Sequence, residues 1–143
     1  MRQSVGMKQV DQMFRAFADH NRLRILNLLN RQEMCVGDLV TILNIPQART
    51  SRHLAYLRKA GLITSRKDGM WCYYSLTPAQ LPFHRKLLEC LTTCLMDVPE
   101  MMADIHRAEQ LRHTGSGCCP EKLLLVPLSP EASTDNTNRP CCC

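Results

Sequence analysis

Apolar side chains recur every three to four positions along most of the chain up to about residue 112, and the period then disappears. Val10, Met13, Phe14 and Phe17 stand at the i, i+3, i+4, i+7 spacing of a first amphipathic helix from Met7 to Ala18. Asp19 and Asn21 can cap a second, in which Leu23, Ile25, Leu26, Leu28 and Leu29 give a wide apolar surface with Arg22 and Arg24 between them. A short extended piece at Met34 to Val36 precedes a brief third helix, Asp38 to Leu43. The turn at Asn44, Ile45 and Pro46 leads to a fourth helix, where Leu54 and Leu57 repeat above Thr50. Two helices flanking a tight turn form a helix-turn-helix.

Gly61 suits the left-handed position after a helix end. Beyond it the period shortens: Leu62 to Arg66 and Met70 to Leu76 are apolar and aromatic runs separated by Lys67, Asp68 and Gly69, and such a DG pair predicts a β-hairpin. The extended piece at Met34 is placed to pair with it. Thr77 to Gln80 resembles a capping box, with Pro82 moving the first secure turn forward, and the fifth helix is expected to run to about Asp97. Its stripe is Phe83, Leu87, Leu91, Leu95 and Val98, while Arg85, Glu89 and Thr92 face away. Pro99 breaks the chain or starts a shorter helix through Met101, Met102, Ile105 and Leu111.

The expected fold is therefore all-α with a small β-hairpin wing, a winged helix-turn-helix spanning residues 7–112. Residues 113–143, rich in Gly, Ser, Pro, Thr and Asn, read as a flexible cysteine-containing tail, in which Leu123 to Leu128 (LLLVPL) is the one apolar run. Phe14, Phe17, Leu87, Leu91 and Leu95 exceed what one small core can bury, which predicts a homodimer through the first and fifth helices.

Charge sharpens this picture. The net charge of +5 is moderate, but between Leu39 and Lys67 lie Arg49, Arg52, Arg58, Lys59, Arg66 and Lys67 with no Asp or Glu. The fourth helix carries Gln47, Arg49, Ser51, Arg52 and His53 opposite its apolar face, a donor-rich set for base edges and phosphates, and Arg66 and Lys67 extend it onto the hairpin. Double-stranded operator DNA is the expected partner, with no cofactor required to bind it. At 143 residues the chain is too short for a multidomain enzyme. No N-terminal run resembles a signal peptide and no apolar stretch approaches the ~20 residues of a membrane span, so a cytoplasmic location is expected.

Three segments carry a family likeness: FADHNRLRILNLL from Phe17, EMCVGDL from Glu33 and SRHLAYLRKAGLI from Ser51. Together they resemble the ArsR/SmtB family of metal-responsive repressors over roughly Val10 to Leu111. The resemblance implies a dimer with the fourth helix in the major groove, the wing near phosphate, and base-facing positions at Gln47, Ala48, Ser51 and Arg52. It also exposes a departure. The arsenic-responsive type has three cysteines in its third-helix motif, and here Cys35 stands with Gly37 and Val40 at the other two places, so that site is broken. The zinc-responsive type uses Asp and His pairs on the fifth helix; this chain has His84 there, with Asp104 and His106 later, too few for a three- or four-ligand zinc site. His84 and His106 read as helix-surface residues.

Nine cysteines supply another candidate. Cys90 and Cys94, at i and i+4, put their Cβ atoms ~5 to 6 Å apart on one helix face, so two thiolates can converge on a soft ion. Alone they also fit small core residues. The adjacent Cys118 and Cys119, in a polar tail, have no packing explanation, and one of them can add a third sulfur from the same or the partner subunit. Three thiolates suit trivalent arsenic or antimony. Cys35 and Cys72 read as structural, and Cys141, Cys142 and Cys143 lie outside the primary site.

The leading reading is a repressor that releases its operator on binding As(III), as arsenite or methylarsenite, or Sb(III). Cadmium, lead or mercury sensing on the same fold is an alternative, and an architectural DNA binder with incidental cysteines is another. A thiol-dependent reductase using Cys118 or Cys119 needs an activating base and a closed pocket. The tail offers neither, and the chain has no C-x-x-C pair, so an enzyme is not expected.

Overall fold

A computed structural model describes residues 6–115 and residue 117. The elements in order are α1 (Met7–Phe17), α2 (His20–Leu29), β1 (Met34–Cys35), α3 (Val36–Leu43), α4 (Gln47–Lys59), β2 (Ile63–Asp68), β3 (Trp71–Leu76), α5 (Pro82–Thr93) and α6 (Pro99–Thr114). Helix α2 sits at the centre, with Ile25 to Leu29 all buried. Its start is fixed by Asp19, whose Oδ1 accepts the Arg22 N–H at 3.0 Å, satisfying one of the orphan donors of the first turn.

Cys35 caps α3 in the same way: its Sγ accepts the Asp38 N–H at 3.5 Å, so the helix begins at Val36, two residues before the expected start. Asn44 ends α3 at φ 54, a left-handed turn that Asn tolerates better than most residues. Pro46 then precedes α4, and the fully buried Thr50 donates its Oγ1 hydrogen to the Pro46 carbonyl at 3.2 Å. Leu54 and Leu57 complete the inner face of α4.

The sheet order is β1-β3-β2, all antiparallel, so the short Met34–Cys35 strand does pair with the hairpin. Its turn differs from the expected Lys67-Asp68-Gly69 loop. Lys67 pairs with Cys72 and Asp68 with Trp71, which leaves Gly69 and Met70 as a two-residue connection. Gly69 has φ 61 while Met70 is not left-handed, the pattern of a type II′ turn with Gly first. Met70 is thereby pushed to the wing tip, 86% exposed.

Helix α5 stops at Thr93 rather than near Asp97. The Thr92 and Thr93 hydroxyls both donate to the Glu89 carbonyl at 2.8 Å, competing with the backbone ladder, and the Cys94 N–H closes the last turn on the Cys90 carbonyl at 2.9 Å. Pro99 opens α6, a 16-residue helix rather than a shorter one, which carries the body to Thr114.

Packing redistributes the expected interface residues. Leu91 is 0% exposed in its own chain, and Phe17, Leu87 and Leu95 lie half-buried against the same core. Leu91 is therefore a core residue, and a charge there would unfold the protomer before it could report on association. Phe14 is different: 54% exposed, its ring stands 5.2 Å from that of Phe83. His84 also departs from expectation. It is 4% exposed, because with Leu87, Leu88 and Leu91 it forms an i, i+3, i+4, i+7 stripe turned toward the core; its Nε2 has no partner among the described residues, and burial lowers its pKa. His106 lies on the surface, as expected.

Helix α6 is locked down by a buried carboxylate. Asp104, 0% exposed, accepts Arg24 Nε on Oδ2 at 2.6 Å and Arg24 Nη2 on Oδ1 at 2.7 Å in a two-pronged pair, and its Oδ1 also accepts Arg107 Nη2. The same arginines donate to the last carbonyls of α3: Arg107 Nε to Ile42 at 2.8 Å and Arg24 Nη2 to Leu43 at 3.4 Å. These are groups that a helix C-terminus leaves unsatisfied. One aspartate thus ties α6 to α2 and to the α3 end just before the Asn44 turn. No helix among the described residues is long and apolar enough to cross a membrane.

Candidate nucleic-acid interface and thiol pair

With Thr50, Leu54 and Leu57 held inward, α4 turns Gln47, Ala48, Arg49 and Arg52 to solvent, with Ser51 half-exposed beside them. Five of the six residues assigned to the DNA face of this helix are brought together on one surface. His53 is not. It lies three residues after Thr50 and four before Leu57, within the inward stripe, and that spacing was the signal available in the sequence. Its Nδ1 stands 3.8 Å from Asp19 Oδ1 and its side chain is 14% exposed. Burial, with Arg22, Arg49 and Arg52 nearby, lowers its pKa against the opposing pull of Asp19. A neutral His53 therefore seats α4 on the capped start of α2.

On the wing, Lys67 is exposed, whereas the Arg66 fork is committed to Glu33, with Nε at 3.0 Å from Oε1 and 2.9 Å from Oε2, and Nη2 on Oε1. Its guanidinium also lies 4.9 Å over the Tyr73 ring. The Glu33 hydrogen bonds raise the Arg66 pKa. The acid-free window that marked Arg66 as a phosphate contact stops short of Glu33, which the β1–β3 pairing delivers from the other end of the sheet. Arg66 fastens the wing to β1, a role the linear charge pattern missed. Arg58, from the end of α4, reaches Ser65 Oγ at 3.5 Å at the base of the wing.

The thiols divide by position. Cys35 is buried at the start of α3 and Cys72 half-buried on β3. Cys90 and Cys94 are both exposed, so a packing role does not account for them. Cys94 is the residue at which α5 ends, one turn after Cys90. A hydrogen bond between the two sulfurs raises the Cys90 pKa; the Thr93 hydroxyl, 3.5 Å away, and Cys90 together lower that of Cys94. The two thiols therefore titrate as a coupled pair, and the first proton lost leaves one thiolate, the form that binds soft ions, facing one thiol.

Cys118 and Cys119 lie outside the described residues, as do Leu123 to Leu128 and Cys141 to Cys143. Their point of departure is defined. Gly117 packs on Asp38, so closely that a Cβ there would lie 3.3 Å from Asp38 Oδ1. Helix α6, ~24 Å long at 1.5 Å per residue, separates this end from the end at which α5 delivers Cys94. Within one chain Gly117, the last described residue, thus lies at the opposite end of α6 from Cys94. Among the described residues, no group of three or more His, Cys, Asp or Glu could hold a metal ion.

Comparison with known proteins agrees with this architecture. The family described as "Bacterial regulatory protein, arsR family" matches residues 19–65, from the α2 cap into β2. The arsenical resistance operon repressor of Escherichia coli (strain K12) is 42% identical over 84 residues, covering 58% of this chain and 72% of the repressor. The cadmium resistance transcriptional regulatory protein CadC of Listeria innocua is 41% identical over 66 residues, covering 46% and 56% respectively. Among solved structures, HlyU from Vibrio cholerae N16961 superposes with a TM-score of 0.53 at 31% identity, covering 61% of this chain and 94% of that one. The chain belongs to the ArsR family. It is a winged helix-turn-helix transcriptional regulator, and not an enzyme.

Proposed function

We propose that this regulator is a homodimeric repressor, working in the cytoplasm, that holds operator DNA through α4 and the wing and releases it when trivalent arsenic binds Cys90 and Cys94. The exposed thiol pair, one helical turn apart at the end of α5, carries the effector half of this reading. Each As–S bond formed from a thiol expels an arsenic-bound hydroxide as water, so the exchange needs no oxidant or reductant. Two thiolates suffice for a monomethylated arsenical; arsenite takes a third from Cys118 or Cys119 of the partner subunit, since the length of α6 separates the two pairs within one chain. Resemblance to an arsenical resistance repressor favours arsenic, and resemblance to CadC keeps cadmium as the second reading, since soft thiolate sites take both. Operator affinity measured with arsenite, methylarsenite, cadmium and zinc at equal free thiol decides between them. Arsenical-specific release is the expected result, and release by cadmium alone would replace it.

Gln47, Ala48, Ser51 and Arg52 read the major groove in this proposal, with Arg49 and Lys67 on phosphates. Arg52→Ala is expected to weaken operator binding by ~1 to 3 kcal/mol and relax preference at one base pair, whereas Lys67→Ala weakens all sequences alike and lowers the salt slope by about 1. Binding isotherms on operator and scrambled duplexes across a salt series test this. Uniform losses for both variants would remove Arg52 from base readout.

The exposed Phe14 and its contact with Phe83 support association through α1 and α5. Phe14→Glu is expected to yield a folded monomer by sedimentation, with operator affinity reduced at least tenfold because half-site pairing is lost. An unchanged dimer would place the interface elsewhere.

A further inference from the structure

Between α3 and the second half of α6 lies an open groove of about 520 Å³, lined by Thr41, Ile42, Arg107, Gln110, Leu111 and Thr114 among others, its wall mainly apolar. The two helices run antiparallel along it: Arg107 meets the Ile42 carbonyl at one end, and Gly117 meets Asp38 at the other. After α6 the chain turns at Gly115, with φ 61, and crosses to α3. Gly117, the last described residue, therefore lies against Asp38, about one turn of α3 from the groove-lining Thr41.

Only one segment of that remainder has the chemistry to fill it. Leu123 to Leu128 reads LLLVPL in a tail otherwise made of small, polar and charged residues. Leu123 lies six Cα–Cα steps beyond Gly117, a reach of up to ~20 Å at 3.3 to 3.6 Å per residue, against a length of ~12 Å for α3. The run can therefore be laid along any part of the groove. Pro127 fixes φ and removes a backbone N–H, which suits an extended strand across two helices and disfavours a further helix. A second copy could present the same run, but a short tether gives the chain's own segment an effective concentration in the millimolar range.

We propose that Leu123–Leu128 docks in the α3–α6 groove of its own chain. The inference is independent of the arsenic reading, and its test does not involve arsenic.

Hydrogen exchange on the full-length chain, read by mass spectrometry, tests it. Amides of Leu123 to Val126 are expected to exchange about tenfold or more slowly than in a free peptide of the same sequence. The double substitution Leu124→Glu with Leu125→Glu should abolish that protection and expose Gln110 to Thr114, while the far-UV spectrum and operator affinity stay unchanged. A photo-crosslinker at position 125, in a mixture of ¹⁴N- and ¹⁵N-labelled protein, should join chains of single isotopic composition at α6. Free-peptide exchange rates would overturn the proposal, and mixed-isotope crosslinks would overturn it in favour of a second copy as occupant.

Discussion

Asp104→Ala should lower folding stability by about 3 to 5 kcal/mol, the loss seen when one partner is removed from a buried ion pair. The reason is asymmetry. Asp104 is fully buried between two arginines, and its removal strands the Arg24 guanidinium, whose side chain is only 11% exposed and whose protonated form the aspartate stabilises. Arg107, with a side chain 45% exposed, can rehydrate, so Arg107→Ala should cost well under half as much. Urea unfolding measures both, and the thermal midpoint of Asp104→Ala should fall by roughly 10 °C or more. Operator affinity should fall as well, because the same arginines hold the Ile42 and Leu43 carbonyls next to the turn that orients α4. A loss below about 1 kcal/mol would mean that the network behaves like a surface pair and that α6 does not brace the reading head.

That network marks the limit of what the linear sequence reveals. The helix-turn-helix and wing were legible because their signals are local: Asp19 before an apolar run, Pro46 ahead of Gln47, and a DG pair between two strand-like segments. The outward side chains of α4 followed from where Leu54 and Leu57 must go. His53 read as a DNA-facing residue because a histidine on a cationic helix suggests DNA, whereas its spacing from Thr50 and Leu57 turns it toward Asp19. Arg66 and Asp104 were opaque for another reason. Each is explained by a partner 33 or 80 positions away, Glu33 and Arg24, and no periodicity within one element encodes such a meeting. The two cysteine pairs show the same limit. Spacing alone brought Cys90 to Cys94, but the distance along α6 between Cys94 and the departure point of Cys118 is a property of the fold.

The largest functional effect is expected at the α5 pair. In the proposed switch, an arsenical held at Cys90 and Cys94, which are not part of α4, acts on DNA by favouring a protomer arrangement whose two α4 helices no longer match successive major grooves. A coupling of ~1 to 3 kcal/mol corresponds to a 5- to 150-fold loss of operator affinity, and by reciprocity operator DNA weakens arsenical binding by the same factor. Cys90→Ser and Cys94→Ser should each bind operator normally and lose that response. Serine at both Cys118 and Cys119 should abolish the arsenite response or narrow it to methylarsenite. Cys35→Ser keeps an oxygen acceptor for the Asp38 N–H at the start of α3 and should respond normally, as should Cys72→Ser. Fluorescence anisotropy of labelled operator, titrated with each arsenical, separates these cases. If both α5 variants release DNA at wild-type arsenite concentrations while Cys35→Ser does not, the sensing thiol is the one that caps α3, and the α5 pair has no part in the switch.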